Sequence, residues 1–179
     1  ISRIVLVVSP DGDAIRDHFR EEYRGVSISY VVQEEPKGLT HAVSLAEPFV
    51  RDRMLILLSD ELYLDCSHSG LARLVDERGA SGLVGFVRTD DEYRIRRNYG
   101  IDLNGHTAAD PKISRLIEKP EETWNDMQGT GTWLFDREFF DYVPKTAPHP
   151  KRGEPDFVAV IQEMVNAGRT VYAIDLGGT

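Results

Sequence analysis

The spacing of apolar residues predicts strands that alternate with helices in the first half of the chain. Residues 4–8 form a continuous aliphatic run, which is typical of a strand buried on both faces of a parallel sheet. Residues 26–32 alternate apolar and polar positions, and residues 54–58 and 82–87 form two more short apolar runs. Because strands that alternate with helices indicate βαβ units, this half of the chain predicts a mostly parallel sheet.

Apolar residues at helical spacing connect these strands. The three stretches that show this spacing are residues 15–23, 39–46 and 71–75. Asp11 is the candidate N-cap of the first helix, and Ser67 or Ser69 that of the third, because their side-chain oxygens can accept from free backbone N–H groups. Pro48 is expected to end the second helix, since proline has no backbone N–H to donate.

The second half of the chain has a different pattern, with short strands and less helix between them. The predicted strands are residues 99–103, 113–118, 132–135 and 171–174. The predicted helices are residues 137–142 and 155–167. Pro155 suits the first turn of the second of these helices, and Arg94, Arg96 and Arg97 fit a solvated strand edge. The whole pattern predicts one three-layer α/β domain whose second half carries a mixed sheet.

Charge and composition narrow the possible partners. The 179 residues carry a formal net charge of −9 without a basic cluster, so we expect no nucleic-acid partner. No apolar run approaches the roughly 20 residues of a membrane-spanning helix, so we expect no membrane partner. Cys66 is the only cysteine, which excludes an internal disulfide and fits a reducing compartment such as the cytoplasm.

An acidic residue follows one of the predicted strands. Asp60 lies two residues beyond the apolar run of residues 54–58. A carboxylate at the carboxyl end of a strand points into the crevice where open α/β sheets bind ligands. Such a carboxylate suits Mg²⁺, which takes one or two of them together with substrate phosphates. The alternative is a loop aspartate that caps a turn.

Two further segments offer polar groups at strand ends. Gln33 ends a strand, so its amide can offer a donor and an acceptor to a nucleobase, and Gly38 lets bare backbone approach a flat ring. Glu118 can accept from sugar hydroxyls, and Lys119 can pair with a phosphate. The alternatives are a surface loop with a glycine turn and an exposed Glu-Lys pair.

Five short stretches occur in an order that matches one family. They are residues 32–42, 57–60, 98–100, 117–120 and 129–131, the last leading into residues 134–136. Together they resemble the sugar-1-phosphate nucleotidyltransferases, most closely those that transfer thymidylyl or uridylyl groups to glucose 1-phosphate. The resemblance implies an α/β fold with a three-layer Rossmann-like core, a mixed and mostly parallel sheet, and a small inserted mixed sheet.

The resemblance also implies a role for each matching residue. Gln33 and Gly38 would contact the nucleobase. Asp60 would bind Mg²⁺ and act in catalysis, and Lys119 would hold the sugar phosphate and act in catalysis. The residues implied to line the sugar site are Tyr99, Gly100, Glu118, Lys119 and Gly129.

The implied reaction joins a nucleoside triphosphate, with dTTP or UTP favoured, to a sugar 1-phosphate, with glucose 1-phosphate favoured. Its products are a nucleotide-sugar and pyrophosphate, and a homo-oligomer is compatible with it. One alternative is a non-catalytic nucleotide- or sugar-binding module or a regulatory relative. Another is a glycosyltransferase, although that class typically shows Asp-x-Asp and residues 60–62 read Asp-Glu-Leu.

The chain departs from the family pattern in three places. Ser59 stands where the family usually has Gly or Asp before the metal-binding aspartate. No segment matches the family's opening glycine-rich loop, and Ile1 aligns with the strand after it. The family's second metal-binding aspartate follows a turn like residues 177–179. We therefore expect residues 1–179 to form a single nucleotidyltransferase domain without these two ends, which would leave this chain inactive by itself.

Overall fold

Two compact units make up the chain in the computed structural model. The model describes residues 1–64, 68–106, 111–150 and 153–177. The first unit contains residues 1–51 and 147–155, and the second contains residues 52–146 and 156–179. Cys66 and the candidate cap Ser67 lie outside the described residues. The expected single domain over residues 1–179 stays a prediction.

A three-stranded sheet forms the first unit's framework. Its elements are β1 (Arg3–Val8), α1 (Asp13–Phe19), β2 (Glu22–Tyr23), β3 (Val26–Val32), α2 (Leu39–Leu45) and a 3₁₀ turn (Glu47–Phe49). β1 pairs in parallel with β3, and β2 pairs antiparallel with the other edge of β3. Val8, Ile28 and Val43 are the buried aliphatic residues of this unit. The predicted strand at residues 26–32 is therefore confirmed, as is its parallel pairing with the first strand.

The ends of the first helix differ from the prediction. Gly12, rather than Asp11, is the N-cap of α1, and no side chain caps it. The turn brings residue 12 so close to β1 that a Cβ there would lie 2.8 Å from the Val8 Cβ, which explains the glycine. Tyr23, which shares the helical spacing, lies in β2 instead.

A six-stranded sheet forms the framework of the second unit. Its strands are β4 (Arg53–Leu57), β5 (Gly82–Arg88), β6 (Tyr99–Leu103), β7 (Ile113–Glu118), β8 (Met127–Asp136) and β9 (Val171–Asp175). The order is β7-β6-β8-β5-β9, with β4 also paired to β8. Among the strands of the described residues, β5 and β9 pair in parallel, and the other pairs of this sheet are antiparallel. The α/β class with mixed sheets is confirmed, but this sheet is mostly antiparallel, because β8 runs opposite to β4, β5 and β6, and β6 runs opposite to β7.

Helices of the second unit also correct several expectations. They are α3 (Leu71–Arg78), α4 (Glu92–Arg97), α5 (Phe157–Asn166) and 3₁₀ turns at Asn104–His106, Arg137–Asp141 and Val143–Lys145. Gly70 in the left-handed conformation, rather than Ser69, is the N-cap of α3. The arginines expected at a strand edge lie in α4, whose N-cap Asp91 accepts from two backbone N–H groups. Pro155 precedes the N-cap Asp156 of α5 instead of entering its first turn.

Aromatic residues pack between α5 and the sheet of the second unit. Phe157 at the start of α5 lies 4.7 Å from the Trp133 ring and 5.1 Å from the Phe139 ring, between ring centres. Ile161 and Met164, on the same face of α5, are fully buried. This packing holds β8 against a rigid layer. None of the helices in the described ranges has the length and apolarity of a membrane-spanning segment.

Candidate functional site

One edge of β8 has an interruption that organises the candidate site. β5 pairs with one edge of β8 at residues 127–129 and 133–135, with a register shift between the two stretches. On the other edge β4 pairs with residues 132–136, and β6 pairs at residue 128. Residues 129–131 therefore lie between the carboxyl end of β4 and the first residues of β6. We call these three residues the β8 gap.

The loop that follows β4 closes one side of the β8 gap. The Leu58 N–H donates to the Gly131 carbonyl oxygen at 3.0 Å. The Gly131 N–H donates to both carboxylate oxygens of Glu61, at 2.9 and 2.8 Å. The Tyr63 hydroxyl donates to the same carboxylate. Burial raises the pKa of Tyr63, and the hydrogen bond to Glu61 raises it further. The hydroxyl therefore keeps its proton at neutral pH and can donate it.

Tyr99 closes the other side of the β8 gap. Its hydroxyl donates to the Thr130 carbonyl oxygen at 2.7 Å and accepts from the Trp133 indole N–H at 2.9 Å. Its ring fills the space beside Gly129, where a Cβ would lie 2.0 Å from a ring carbon. Burial raises the pKa of Tyr99 well above its ordinary value, and the charges of Glu61 and Glu118 act in the same direction.

Asp60 lies on the loop between the two residues that hold Gly131. It is exposed, and it follows Leu58 and precedes Glu61 on a turn. No group of three or more His, Cys, Asp or Glu side chains that could hold a metal ion occurs in the described part of the chain. Asp60 therefore offers one accessible carboxylate beside the β8 gap.

Glu118 and Lys119 stand at the end of β7, next to the first residue of β6. Glu118 is the cross-strand partner of Tyr99. The Lys119 N–H donates to the Asn98 carbonyl oxygen at 2.7 Å, and its Nζ lies 3.9 Å from Glu118 Oε1. Lys119 has a φ of 46°, an uncommon left-handed conformation for a residue with a side chain. Its side chain is 60% exposed, so the ammonium group can reach a ligand.

Trp124 covers Gly100 on the opposite face of the sheet from Tyr99. A Cβ on Gly100 would lie 2.8 Å from the Trp124 ring, and the Arg115 guanidinium stacks 4.3 Å from the indole centre. The Trp124 Nε1 and the Gln128 Oε1 are buried without a hydrogen-bond partner among the described residues. Gly100 is thus enclosed on its Cα side, and its backbone lies between β7 and β8, where it pairs with Ile117 and Gln128.

In the first unit, Gln33 and Gly38 are directly joined. Gln33 Nε2 donates to the Gly38 carbonyl oxygen at 3.0 Å and lies 2.9 Å from His41 Nδ1. Gly38 has a φ of 109°, which favours glycine, and a Cβ there would lie 1.8 Å from Glu154 Oε1. Glu154 is held nearby because the Thr40 hydroxyl donates to the Pro155 carbonyl oxygen at 2.7 Å.

The residues predicted from sequence therefore fall into two groups. Gln33 and Gly38 lie in the first unit. The metal, catalytic and sugar candidates all lie in the second unit. There the charges of Glu61 and Glu118, the sequence neighbours of Asp60 and Lys119, both raise the pKa of Tyr99. Sequence reasoning missed Glu61, Trp124 and Glu154. For Glu61 the sequence offered one signal, which is an acidic residue directly after Asp60. For Trp124 and Glu154 it offered none, because these residues contact Gly100 and Gly38 from distant parts of the chain.

Comparison with known proteins gives a consistent family. The family model described as nucleotidyl transferase matches residues 1–179. A UTP–glucose-1-phosphate uridylyltransferase, AglF of Haloferax volcanii, is 30% identical over 177 residues, which cover 98% of this chain and 70% of that protein. The bifunctional protein GlmU of Methanococcus maripaludis is 26% identical over 180 residues, which cover 99% of this chain but 39% of that protein.

Solved structures share the fold. The crystal structure of apo UDP-glucose pyrophosphorylase matches with a TM-score of 0.82 and 17% identity, covering 98% of this chain and 73% of that one. The UDP-glucose complex of such an enzyme matches with a TM-score of 0.80 and 17% identity, covering 98% of this chain and 74% of that one. At this identity the likeness shows the fold alone.

Proposed function

Because the chain belongs to the sugar-1-phosphate nucleotidyltransferase family, we propose that its reaction joins a nucleoside triphosphate to a sugar 1-phosphate. An oxygen of the sugar phosphate attacks the α-phosphorus of the triphosphate. The bond from the α-phosphorus to the bridging oxygen of the β-phosphate breaks, and pyrophosphate leaves with the electron pair. The proposal places the enzyme in nucleotide-sugar biosynthesis.

UTP or dTTP with glucose 1-phosphate is the substrate pair we propose. The name of the Haloferax volcanii relative, which matches nearly the whole of this chain, supports UTP and glucose 1-phosphate. Both substrates are anions, so the reaction needs local cations in a chain whose formal net charge is −9. We further propose a cytoplasmic location, where nucleoside triphosphates are supplied.

Asp60 is the residue we propose to hold Mg²⁺. The donor is a single exposed carboxylate at the end of β4, which fits a cation that completes its shell with water and substrate phosphates. When bound, Mg²⁺ would neutralise charge on the reacting phosphates. The role of Asp60 is to fix the position of that charge beside the β8 gap.

Lys119 is proposed to hold the sugar phosphate. Its exposed ammonium group extends from the end of β7, where the Asn98 carbonyl oxygen holds its backbone N–H. Glu118 would accept from sugar hydroxyls. Tyr99 and the backbones of Gly100 and Gly129 would form the wall of the sugar site. Catalysis of this kind depends mainly on alignment of the two anions and on charge neutralisation.

Gln33 and Gly38 are proposed to contact the base. The Gln33 Nε2 is engaged with Gly38 and His41, which orients the amide and leaves the Oε1 as the atom for a base N–H. Because Gly38 has no side chain, the backbone of this loop can lie close to Glu154. These contacts support a preorganised loop for the nucleobase.

The observation that carries the proposal is the arrangement of these residues on the two sides of the β8 gap. On one side Glu61, the residue after Asp60, binds the Gly131 N–H. On the other side the Tyr99 hydroxyl binds the Thr130 carbonyl oxygen, and Glu118, the residue before Lys119, is the cross-strand partner of Tyr99. A metal-holding carboxylate and a phosphate-holding ammonium group at these two sides could bring two phosphates together.

Substitution of Asp60 tests the proposal. We expect Asp60→Ala to keep the melting temperature, because the side chain is exposed, and to lower turnover by at least about 100-fold. Pyrophosphate release by the complete protein with UTP or dTTP and glucose 1-phosphate measures turnover. Glu77→Ala, on the exposed face of α3, is the matched control. Near-normal turnover of Asp60→Ala would rule out the metal role.

A further inference from the structure

Asp60 sits on a loop that is tied to β8 on both sides. On one side the Leu58 N–H binds the Gly131 carbonyl oxygen. On the other side the Glu61 carboxylate binds the Gly131 N–H with both oxygens. The same peptide segment of β8 thus holds the residues two before and one after Asp60. A loop fastened at both ends has fewer conformations, so the backbone that carries the Asp60 side chain is restricted in position.

The carboxylate of Glu61 accepts hydrogen bonds from two donors of the protein. Its two oxygens accept from Gly131, and one of them also accepts from the Tyr63 hydroxyl. A hydrogen bond to an ionised carboxylate is worth about twice a neutral one. These contacts orient the Glu61 carboxylate towards the backbone of β8, so it is less free than Asp60 to turn towards a cation. The two adjacent carboxylates of this loop therefore have different tasks, Asp60 facing solvent and Glu61 facing the backbone.

Glu61 also completes the hydrogen bonding of the β8 gap. The Gly131 N–H lies on the edge of β8 that has no strand beside it, since β4 pairs only as far as Thr132. Gly131 is buried, so without an acceptor its N–H would have no hydrogen-bond partner. Leaving a buried donor unsatisfied costs about 1–3 kcal/mol. The side chain of Glu61 takes the place of a strand carbonyl. Glu61 therefore connects the edge of β8 at Gly131 with the loop that carries Asp60.

We propose that Glu61 is a positioning residue, which holds Asp60 in place for the divalent cation by binding the Gly131 N–H. This inference rests on the proposed function, because it presumes a cation at Asp60. Glu61 itself does not bind the cation. Tyr63 supports Glu61 by orienting its carboxylate through the shared hydrogen bond.

Mn²⁺ binding to the complete protein without nucleotide, followed by electron paramagnetic resonance of the free ion, tests this role directly. We expect Glu61→Ala to weaken Mn²⁺ binding by about tenfold or more, as loss of a residue that orients a metal ligand does. Glu61→Gln keeps one oxygen that can accept from Gly131, so we expect it to restore most of the affinity. Tyr63→Phe should give a smaller loss. Glu77→Ala on α3 is the control.

Two further readouts separate positioning from a general structural role. Hydrogen exchange at the Gly131 amide should accelerate in Glu61→Ala and stay near normal in Glu61→Gln. In steady-state kinetics, Glu61→Ala should lower kcat and raise the Mg²⁺ concentration needed for activity, while KM for glucose 1-phosphate stays within about twofold. A variant that only loosened the fold would change the KM for the sugar phosphate as well.

The outcomes for the two proposals can be distinguished. If Asp60→Ala binds Mn²⁺ as tightly as the unchanged protein, the metal role in the proposed function fails. If Asp60→Ala loses Mn²⁺ binding but Glu61→Ala keeps it, the positioning role of Glu61 is overturned. If Glu61→Gln loses as much affinity as Glu61→Ala, Glu61 acts through its charge and the hydrogen bond to Gly131 is not the cause. Should Glu61→Ala fail to fold, Glu61→Gln and Tyr63→Phe still test the idea through Mn²⁺ affinity.

Discussion

Replacement of Gly129 by alanine tests the close packing at the β8 gap. The Gly129 backbone has an ordinary φ, so alanine meets no conformational barrier there. Its Cβ, however, would lie 2.0, 2.1 and 2.4 Å from three carbons of the Tyr99 ring. Such distances are far below van der Waals contact. The Tyr99 ring must therefore move away from β8, although it is only 5% exposed in a packed core.

The expected loss of stability follows from what Tyr99 gives up. Forcing an extra carbon into a packed core costs about 1–3 kcal/mol. The displaced hydroxyl loses its bonds to Thr130 and Trp133, each worth about 1 kcal/mol net. Alanine regains about 0.5–1 kcal/mol over glycine in a strand. We therefore expect Gly129→Ala to lower the free energy of unfolding by about 2–4.5 kcal/mol.

Urea unfolding followed by tryptophan fluorescence measures this change, because Trp124 and Trp133 both lie in the second unit. A double-mutant cycle supplies the control: in a Tyr99→Ala background the ring is absent, and Gly129→Ala should cost nothing or stabilise slightly. A loss below about 0.5 kcal/mol in the unchanged background, or an equal loss in both backgrounds, would refute the packing argument.

Two other perturbations have clear expected signs. Burial raises the pKa of Tyr99 well above its ordinary value, so its contribution to stability is complete below about pH 10 and is lost as pH rises from there towards the folded-state pKa. Melting temperatures between about pH 9 and 11 should therefore fall less steeply in Tyr99→Phe, and parallel curves would contradict the assignment. Gly38→Ala places a Cβ 1.8 Å from Glu154 Oε1 at a φ of 109° and should destabilise the first unit. In a Glu154→Ala background only the backbone strain of about 1–3 kcal/mol should remain, so an unchanged loss there would argue against the contact.

Strand positions were predictable where the apolar pattern is continuous or alternating. The strands Val26–Val32, Tyr99–Leu103 and Ile113–Glu118 match the predicted ranges. β8 extends five residues further towards its N-terminus than predicted, into the polar and glycine-rich stretch 127–131. Those residues have weak strand propensity, and residues 127–129 are extended because β5 and β6 pair with them.

Strand direction and helix caps were less predictable, because distant contacts decide them. β4 has the apolar composition of a parallel-sheet strand, yet it pairs antiparallel with β8, some 75 residues later in the chain. The caps of α1 and α3 are glycines instead of the neighbouring Asp11 and Ser69. The α1 cap, Gly12, lies too close to Val8 for a side chain, and the α3 cap, Gly70, has a left-handed backbone.

Apart from Gly129, which lies within β8, the site residues named from sequence stand at or near strand or helix ends, and their roles stay predictions. What the sequence could not indicate is which side chains complete their surroundings. Glu61 joins Gly131 across 70 positions, and Glu154 reaches Gly38 across more than a hundred. Contacts of that separation follow from the fold rather than from any local pattern.

Isotope tracing of the transferred oxygen tests the proposed reaction most directly. Glucose 1-phosphate labelled with ¹⁸O in its phosphate group would be incubated with UTP or dTTP, Mg²⁺ and the complete protein, and the products analysed by ³¹P nuclear magnetic resonance and mass spectrometry. Attack by the sugar phosphate on the α-phosphorus predicts that all of the label enters the nucleotide-sugar, including its bridging oxygen, and that pyrophosphate carries none. Label in pyrophosphate, or no nucleotide-sugar from any nucleoside triphosphate and sugar 1-phosphate tried, would contradict the account.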